Sequence, residues 1–271
     1  MPAVAAVAAA LCGVSSVAVA SGAQPSWHYC GKAPPKNTGA YSDKSCSVAG
    51  EAGKGAYELF AGVGKDKAFK GKDGFGRQML IVVPHKAELH LECAKGQLTG
   101  VPVAPSGVKG VVIAYFKCEM LDSPCHSEGA KKGTVHTEPL SGELGWLNES
   151  KGLAGVSLSN EASPGSGYVV RFSCEFNPGE VAGFRSFGAV IGEIPTTGAI
   201  SKEFQLEYNT GEYLGELNEP TNPPEFEERF VGTLQSEVNG PETGFEWGPA
   251  GGLRGGLERG FAVKGEALSI S

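Results

Sequence analysis

Apolar and polar residues alternate in short runs along most of this chain. In "ELHLEC" (88–93), Leu89, Leu91 and Cys93 fall on one face, and Glu88, His90 and Glu92 on the other. In "YVVRFSC" (168–174), Val170, Phe172 and Cys174 share a face; in "EFQLEYN" (203–209), Phe204, Leu206 and Tyr208 do. A period of two is the mark of a half-buried strand, because successive side chains point to opposite faces of a sheet. The same reading predicts strands in "MLIVV" (79–83), "GVVIAYFK" (110–117), "GTVHTEPL" (133–140) and "LAGVSLS" (153–159). It adds "AVIGEI" (189–194), "RFVGTLQ" (229–235) and "AVKGEALSI" (262–270). Turn-forming clusters such as "LDSP", "SPGSG" and "NPGE" separate them. No window holds a helical period. The expected fold is all-β and mainly antiparallel, a sandwich or flattened barrel held by disulfides.

Two stretches break the pattern. Residues 24–60 are polar and carry two cysteines, and they read as a stapled N-terminal cap on a core spanning 61–216. Residues 217–228, "LNEPTNPPEFEE", combine prolines with an acidic run and read as an exposed loop. Strands in 229–271 then complete the same domain. The 41 glycines and 17 prolines suit a chain of many turns.

The first twenty-three residues contain no charged side chain and end in small residues. Ala18-Val19-Ala20 and Ser21-Gly22-Ala23 both fit a signal-peptidase site, which makes 1–23 an expected cleaved export signal. Gly13, Ser15 and Ser16 interrupt its apolar part, so no stable membrane span is expected after cleavage. Leu11 before Cys12 is too large for a lipoprotein site. The formal net charge is −7, and residues 201–271 hold thirteen Glu against five Lys/Arg. An acidic C-terminal third repels phosphate backbones and argues against nucleic-acid binding. The one basic cluster, Lys65, Lys67, Lys70, Lys72 and Arg77, is diluted by Asp66 and Asp73 and reads as a solvated loop.

Six cysteines remain beyond Cys12, and an even count in an exported chain reads as disulfides. Spacing and facing favour one of the fifteen connectivities. Cys30 and Cys46 would close the loop of the cap, and Cys118 and Cys125 would bridge the turn "EMLDSP". Cys93 and Cys174 would then cross the inside of the sandwich. In the chain-entropy model the short Cys118–Cys125 ring stabilises by about 2.5 kcal/mol and the long Cys93–Cys174 ring by about 4.5 kcal/mol. Loss of Cys93 is therefore expected to harm folding more than loss of Cys118.

Other chemistry is sparse. The spacing of Cys118, Cys125, His126 and His136 does not fit a zinc site, whose ligands sit closer together. No CxxC pair marks a redox centre. His85 and His90 fall on opposite strand faces. Nucleophile-elbow, phosphate-loop, dinucleotide and zincin motifs are absent from the sequence, so no catalytic residue, metal or cofactor is assigned. With 26 Glu, some carboxylate pair meets a glycosidase spacing by chance; Glu225, Glu227 and Glu228 read as a solvated run. Trp27, Trp146 and Trp247 could stack on a ligand, and Trp247, in a glycine-rich loop, is the candidate contact. Asn148-Glu149-Ser150 matches a glycosylation sequon that carries little meaning by itself.

Three stretches share a pattern: "WHYC…YSDKSC" (27–46), "FKCEMLDSPCHSEGAKKGTVHTEPLSGELGWL" (116–147) and "FSCE…VAGFRSFGAVIGEI" (172–194). They resemble a group of exported, cysteine-containing β-proteins of soil actinobacteria, over about residues 24–210. The most specific part is C-x-S-x-G-x3-G-x-[VI]-x-T-x-P-L-x-G-x-L-G, from Cys125 to Gly145. The group carries no assigned activity, so the resemblance implies export and a shared architecture and transfers no catalytic residue. It also implies that the missing basic start reflects a truncated or misassigned N-terminus. The expectation is a secreted or cell-surface, non-catalytic protein that binds an extracellular or cell-envelope ligand or has a structural role. A secreted hydrolase with a carboxylate or histidine site, and a small-ligand carrier, are the rival classes.

Overall fold

The computed structural model describes residues 24–64, 68–73, 78–82, 89–194, 198, 201–206, 235–240, 245–249, 257–258 and 261–270. The expected signal 1–23, the acidic loop 217–228 and residues 229–234 lie outside them. Within the described residues there are eighteen strands, one 3-10 turn (Glu149–Lys151) and no α-helix. The strands are β1 (Trp27–Lys32), β2 (Tyr57–Ala61), β3 (Phe69–Asp73), β4 (Gln78–Val82), β5 (Leu89–Val103) and β6 (Gly107–Met120). Next come β7 (Ser123–His126), β8 (Thr134–His136), β9 (Leu140–Asn148), β10 (Leu153–Asn160), β11 (Tyr168–Asn177) and β12 (Glu180–Phe187). The last are β13 (Ala189–Ile194), β14 (Ser201–Leu206), β15 (Gln235–Gly240), β16 (Phe245–Pro249), β17 (Leu257–Glu258) and β18 (Phe261–Ile270).

The long hairpin β5–β6 is the spine. From Val111 to Tyr115 successive β6 residues alternate between core and surface, with Val111, Ile113 and Tyr115 buried, and Cys118 and Met120 are buried beyond a shift of phase at Lys117. One edge of β5 receives β4 and then β3. The far edge of β6 receives β9 at its start, β8 in its middle and β7 at its end. From β9 the sheet continues to β10 and β13, and from β3 through β18 to β1 and β14. A second limb, β11–β12–β15–β16, hangs from β7. All these pairings are antiparallel, and among the described residues the sheet is not closed into a barrel. The fold is therefore all-β and antiparallel, as the alternation predicts.

Both limbs feed one core. Leu98, Ile113, Leu140 and Leu158 on the first cluster with Phe172 and Phe184 on the second. Those two rings stack at 5.1 Å between centroids, on directly opposed residues of β11 and β12. Each such side chain contributes about 1.5–3 kcal/mol by leaving water. The cysteine-bearing stretch at 24–60 joins this sheet: β1 lies between β2 and the C-terminal strand β18.

The disulfides correct two of the three expected pairs. Cys30 is bonded to Cys46, but Cys93 is bonded to Cys118 and Cys125 to Cys174. The expected Cys93–Cys174 and Cys118–Cys125 bridges are not formed. Strand register is the reason. Cys93 stands directly opposite Cys118 in β5–β6, and Cys125 directly opposite Cys174 in β7–β11. Their Cα atoms are 4.0 and 4.1 Å apart. β7 pairs with β6 only at Pro124 and Ser123, and then turns into the β11 ladder. The N–H of Cys118 goes to the carbonyl of Gly133. The two cysteines that flank the "EMLDSP" turn are thus parted as soon as the hairpin opens.

That turn also carries a testable strain. Leu121 and Asp122 are its two central residues, with φ of 49° and 61°. A two-residue hairpin loop with both φ positive is type I′, which favours Asn-Gly. Leucine in the left-handed region costs about 1–2 kcal/mol, and 69% of Leu121 is exposed, so no packing offsets it. The double change Leu121→Asn, Asp122→Gly is expected to raise unfolding free energy by about 1–2 kcal/mol, read from the denaturant midpoint.

Candidate functional site

The outward face of β9 and β10 is built from small polar residues. In β9, Leu140 and Leu144 point into the core, which turns Ser141, Glu143 and Gly145 outward. In β10, Ala154, Val156 and Leu158 point in, which turns Ser157 and Ser159 outward. Register sets Ser159 opposite Ser141 and Ser157 opposite Glu143, and Gly107 of β6 flanks Glu143 on its other side. The result is a panel of three hydroxyls around one carboxylate. It floors a groove of about 460 Å³ whose rim includes Gln24, Val103, Lys109 and Pro164. That volume falls within the range of small-molecule sites.

Both walls of the groove are fixed. On one side Pro164 sits in the β10–β11 loop. The Asn160 side chain ties this loop, accepting from the N–H groups of Ala162 and Ser163 and donating to the Tyr168 carbonyl. The Glu161 carboxylate accepts the Gly110 N–H at 3.0 Å, which clamps the loop onto β6 where its register shifts. On the other side Trp27, 2% exposed, holds the β5–β6 turn. Its backbone N–H reaches the Pro105 carbonyl at 2.8 Å and its indole N–H reaches the Gly107 carbonyl at 2.9 Å. Beneath the floor, Gly142 admits no side chain: a Cβ there would collide with the Ser157 carbonyl oxygen.

The other sequence candidates fall elsewhere. Trp27 is a core residue and Trp146 packs partly buried against the core. Trp247 lies in β16, where only the backbone path is described. Asn148, of the sequon, caps the 3-10 turn, accepting from the Lys151 N–H and the Ser150 hydroxyl. His126 is opposite Ser173 in register, and His136 is exposed on β8. Among the described residues, no group of three His, Cys, Asp or Glu is placed to hold a metal ion, and no helix is long and apolar enough to cross a membrane. Lys70 and Lys72 are exposed on β3, while Lys65, Lys67 and Arg77 lie outside the described residues, as do His85, Glu225, Glu227 and Glu228.

Among the described residues, two ionisable groups are displaced from their ordinary values, and both sit at the surface. The Asp43 carboxyl is held well below the usual carboxylate range, first by the Ser45 hydroxyl and then by the Val48 N–H and the other Ser45 and Ser47 donors. It knots the loop that Cys30–Cys46 closes. Its contribution is present above the unfolded carboxyl pKa of about 4 and is lost as pH falls through its own lower value. In an acid titration by NMR, the amide shifts of Ser45, Ser47 and Val48 are expected to move only at pH below the ordinary carboxyl range. In Asp43→Asn they should not move there. The Arg171 guanidinium is raised, first by its hydrogen bonds to Glu138, at 2.9 Å from Nε, against some desolvation. It and Arg185 both lie over the Tyr168 ring, at 5.5 and 5.0 Å.

The motif Cys125–Gly145 resolves into framework. Cys125 is bonded to Cys174, and the Ser127 hydroxyl donates to the Arg171 carbonyl and accepts from the His136 N–H. Gly129 and Gly133 hold positive φ. The Thr137 hydroxyl accepts the Ile113 N–H, and Val135 and Leu140 are fully buried. The open positions of the motif include Ser141 and Glu143, which face the groove. Sequence reading did not single these residues out, because "LSGELG" is weakly apolar and lacks strand-forming residues.

The molecule is a disulfide-stapled, antiparallel all-β protein with a pinned groove on its surface, lined by serines, Glu143 and Lys109 together with Val103 and Pro164. Comparison with protein-family models, with curated proteins and with solved structures finds no match to this chain.

Proposed function

We propose that this chain is an exported, non-catalytic binding protein that acts outside the cytosol and holds its ligand in the groove over β6, β9 and β10. The observation that carries the reading is the fixed groove itself. Its floor is a stapled sheet and its two walls are tied by Asn160, Glu161 and Trp27. A site already rigid before binding loses little entropy when it closes on a ligand. Three disulfides support a life outside the cytosol, where such bridges persist. The resemblance supports it too: the shared positions build the framework, and open ones face the groove.

The test is a thermal-shift screen of the purified mature protein against a chemically mixed ligand panel. A ligand that raises Tm for the native protein is expected to lose its effect on Ser157→Trp, which fills the groove from an outward position. Hydrolysis of any panel member, abolished by one Glu or His change, would establish the rival hydrolase instead. Thiol titration of protein recovered from outside the cell is expected to find no free cysteine.

A further inference from the structure

We infer that the groove takes a neutral, polyhydroxylated chain, an oligosaccharide, laid across β9 and β10. The inference rests on the groove being the ligand site, and it follows from what the floor offers. β9 is paired on both sides, by β6 and β10, and β10 by β9 and β13. Their backbone N–H and C=O groups are spent in the ladder, so a peptide cannot add to the floor as a further strand. What remains is side chains: the hydroxyls of Ser141, Ser157 and Ser159, and the Glu143 carboxylate.

A serine hydroxyl both donates and accepts, and a carboxylate accepts at two oxygens. That set matches vicinal hydroxyls, each of which is also donor and acceptor. The spacing is regular: opposed residues such as Ser141 and Ser159 lie about 5 Å apart, and i, i+2 residues such as Ser157 and Ser159 about 7 Å. A repeating chain of hydroxyls can meet such a grid while its C–H faces lie against Val103 and Pro164; a ligand without hydroxyls would leave the serines and Glu143 unpaired. Charge points the same way. Glu143 and Lys109 are the charged residues of the groove, one of each sign, so the site as a whole favours neither polyanion nor polycation.

The experiment is isothermal titration and NMR titration with neutral linear oligosaccharides, namely β-glucan and mannan oligomers. Uronic-acid oligomers, a heparin fragment and a peptide mixture serve as the contrasting arms. At least one neutral oligomer is expected to bind, with affinity changing less than about two-fold between low and high salt, since no net charge is neutralised. Ser159→Ala is expected to weaken it by about 2–10-fold, the loss of one hydrogen bond. Ser157→Trp is expected to abolish it, with unchanged far-UV dichroism confirming the fold. Binding confined to acidic oligomers with a steep salt dependence, or no binding by any neutral oligomer, overturns the inference. Binding of another ligand that Ser157→Trp abolishes would overturn the oligosaccharide while leaving the groove as the site.

Discussion

Removing the Cys125–Cys174 bridge, by changing both residues to alanine, is expected to lower unfolding free energy by about 4 kcal/mol, the largest loss among the three disulfides. The bridge closes a sequence separation of 49 residues, against 25 for Cys93–Cys118 and 16 for Cys30–Cys46. In the chain-entropy model these amount to about 4, 3.5 and 3 kcal/mol. Cys125–Cys174 also joins β7 to β11, where the second limb hangs from the first sheet. Its loss frees that junction, and both sulfurs leave a fully buried site. Urea or guanidinium unfolding of the oxidised variants measures the ranking. The same series tests the pairing. Cys93→Ala and Cys118→Ala break one bond, so their effects should be nearly equal, and the double variant should cost about as much as either single one. Additive losses from Cys93→Ala and Cys118→Ala would show that the two residues belong to different bridges.

The second large effect belongs to Trp27. Trp27→Ala is expected to cost about 3–5 kcal/mol, the range for removing a large buried aromatic side chain. The residue is 2% exposed and lies in the main core cluster, so its loss leaves a cavity. It also removes the indole donor to the Gly107 carbonyl. Trp27→Phe separates the two contributions: it keeps most of the volume and removes the donor, so a smaller loss is expected. Because Gly107 borders the groove, Trp27→Phe is also expected to weaken ligand binding while the protein stays folded. Denaturant unfolding and the thermal-shift response to a groove ligand measure the two effects separately.

The strands β6, β10 and β11 are legible in the alternation, because one face of each meets the core and the other is more open to water. Val111, Ile113, Val156, Leu158, Phe172 and Cys174 occupy the buried positions that a period of two assigns. β9 is not legible in the same way. Its "LSGELG" segment carries Gly and Ser where a strand ordinarily shows branched or aromatic residues, and it is held as a strand by β6 and β10 on either side. The groove was hidden for the same reason. Its residues come from four strands, the β10–β11 loop and the segment before β1, and none is unusual in its local sequence.

By itself the amino-acid order determined the all-β class, the strands that alternate and the count of bridging cysteines, because period and parity are local properties that survive without knowing which strand neighbours which. It could not determine which cysteines meet or where a ligand would lie. Those depend on register between segments up to dozens of residues apart. The two-residue departure of β7 from β6 to β11 redirects Cys125 to Cys174, and the placing of β9 between β6 and β10 gathers three serines around Glu143. Only the assembled sheet fixes such cross-strand neighbours, since they are set by hydrogen-bonded pairing in space and not by distance along the chain.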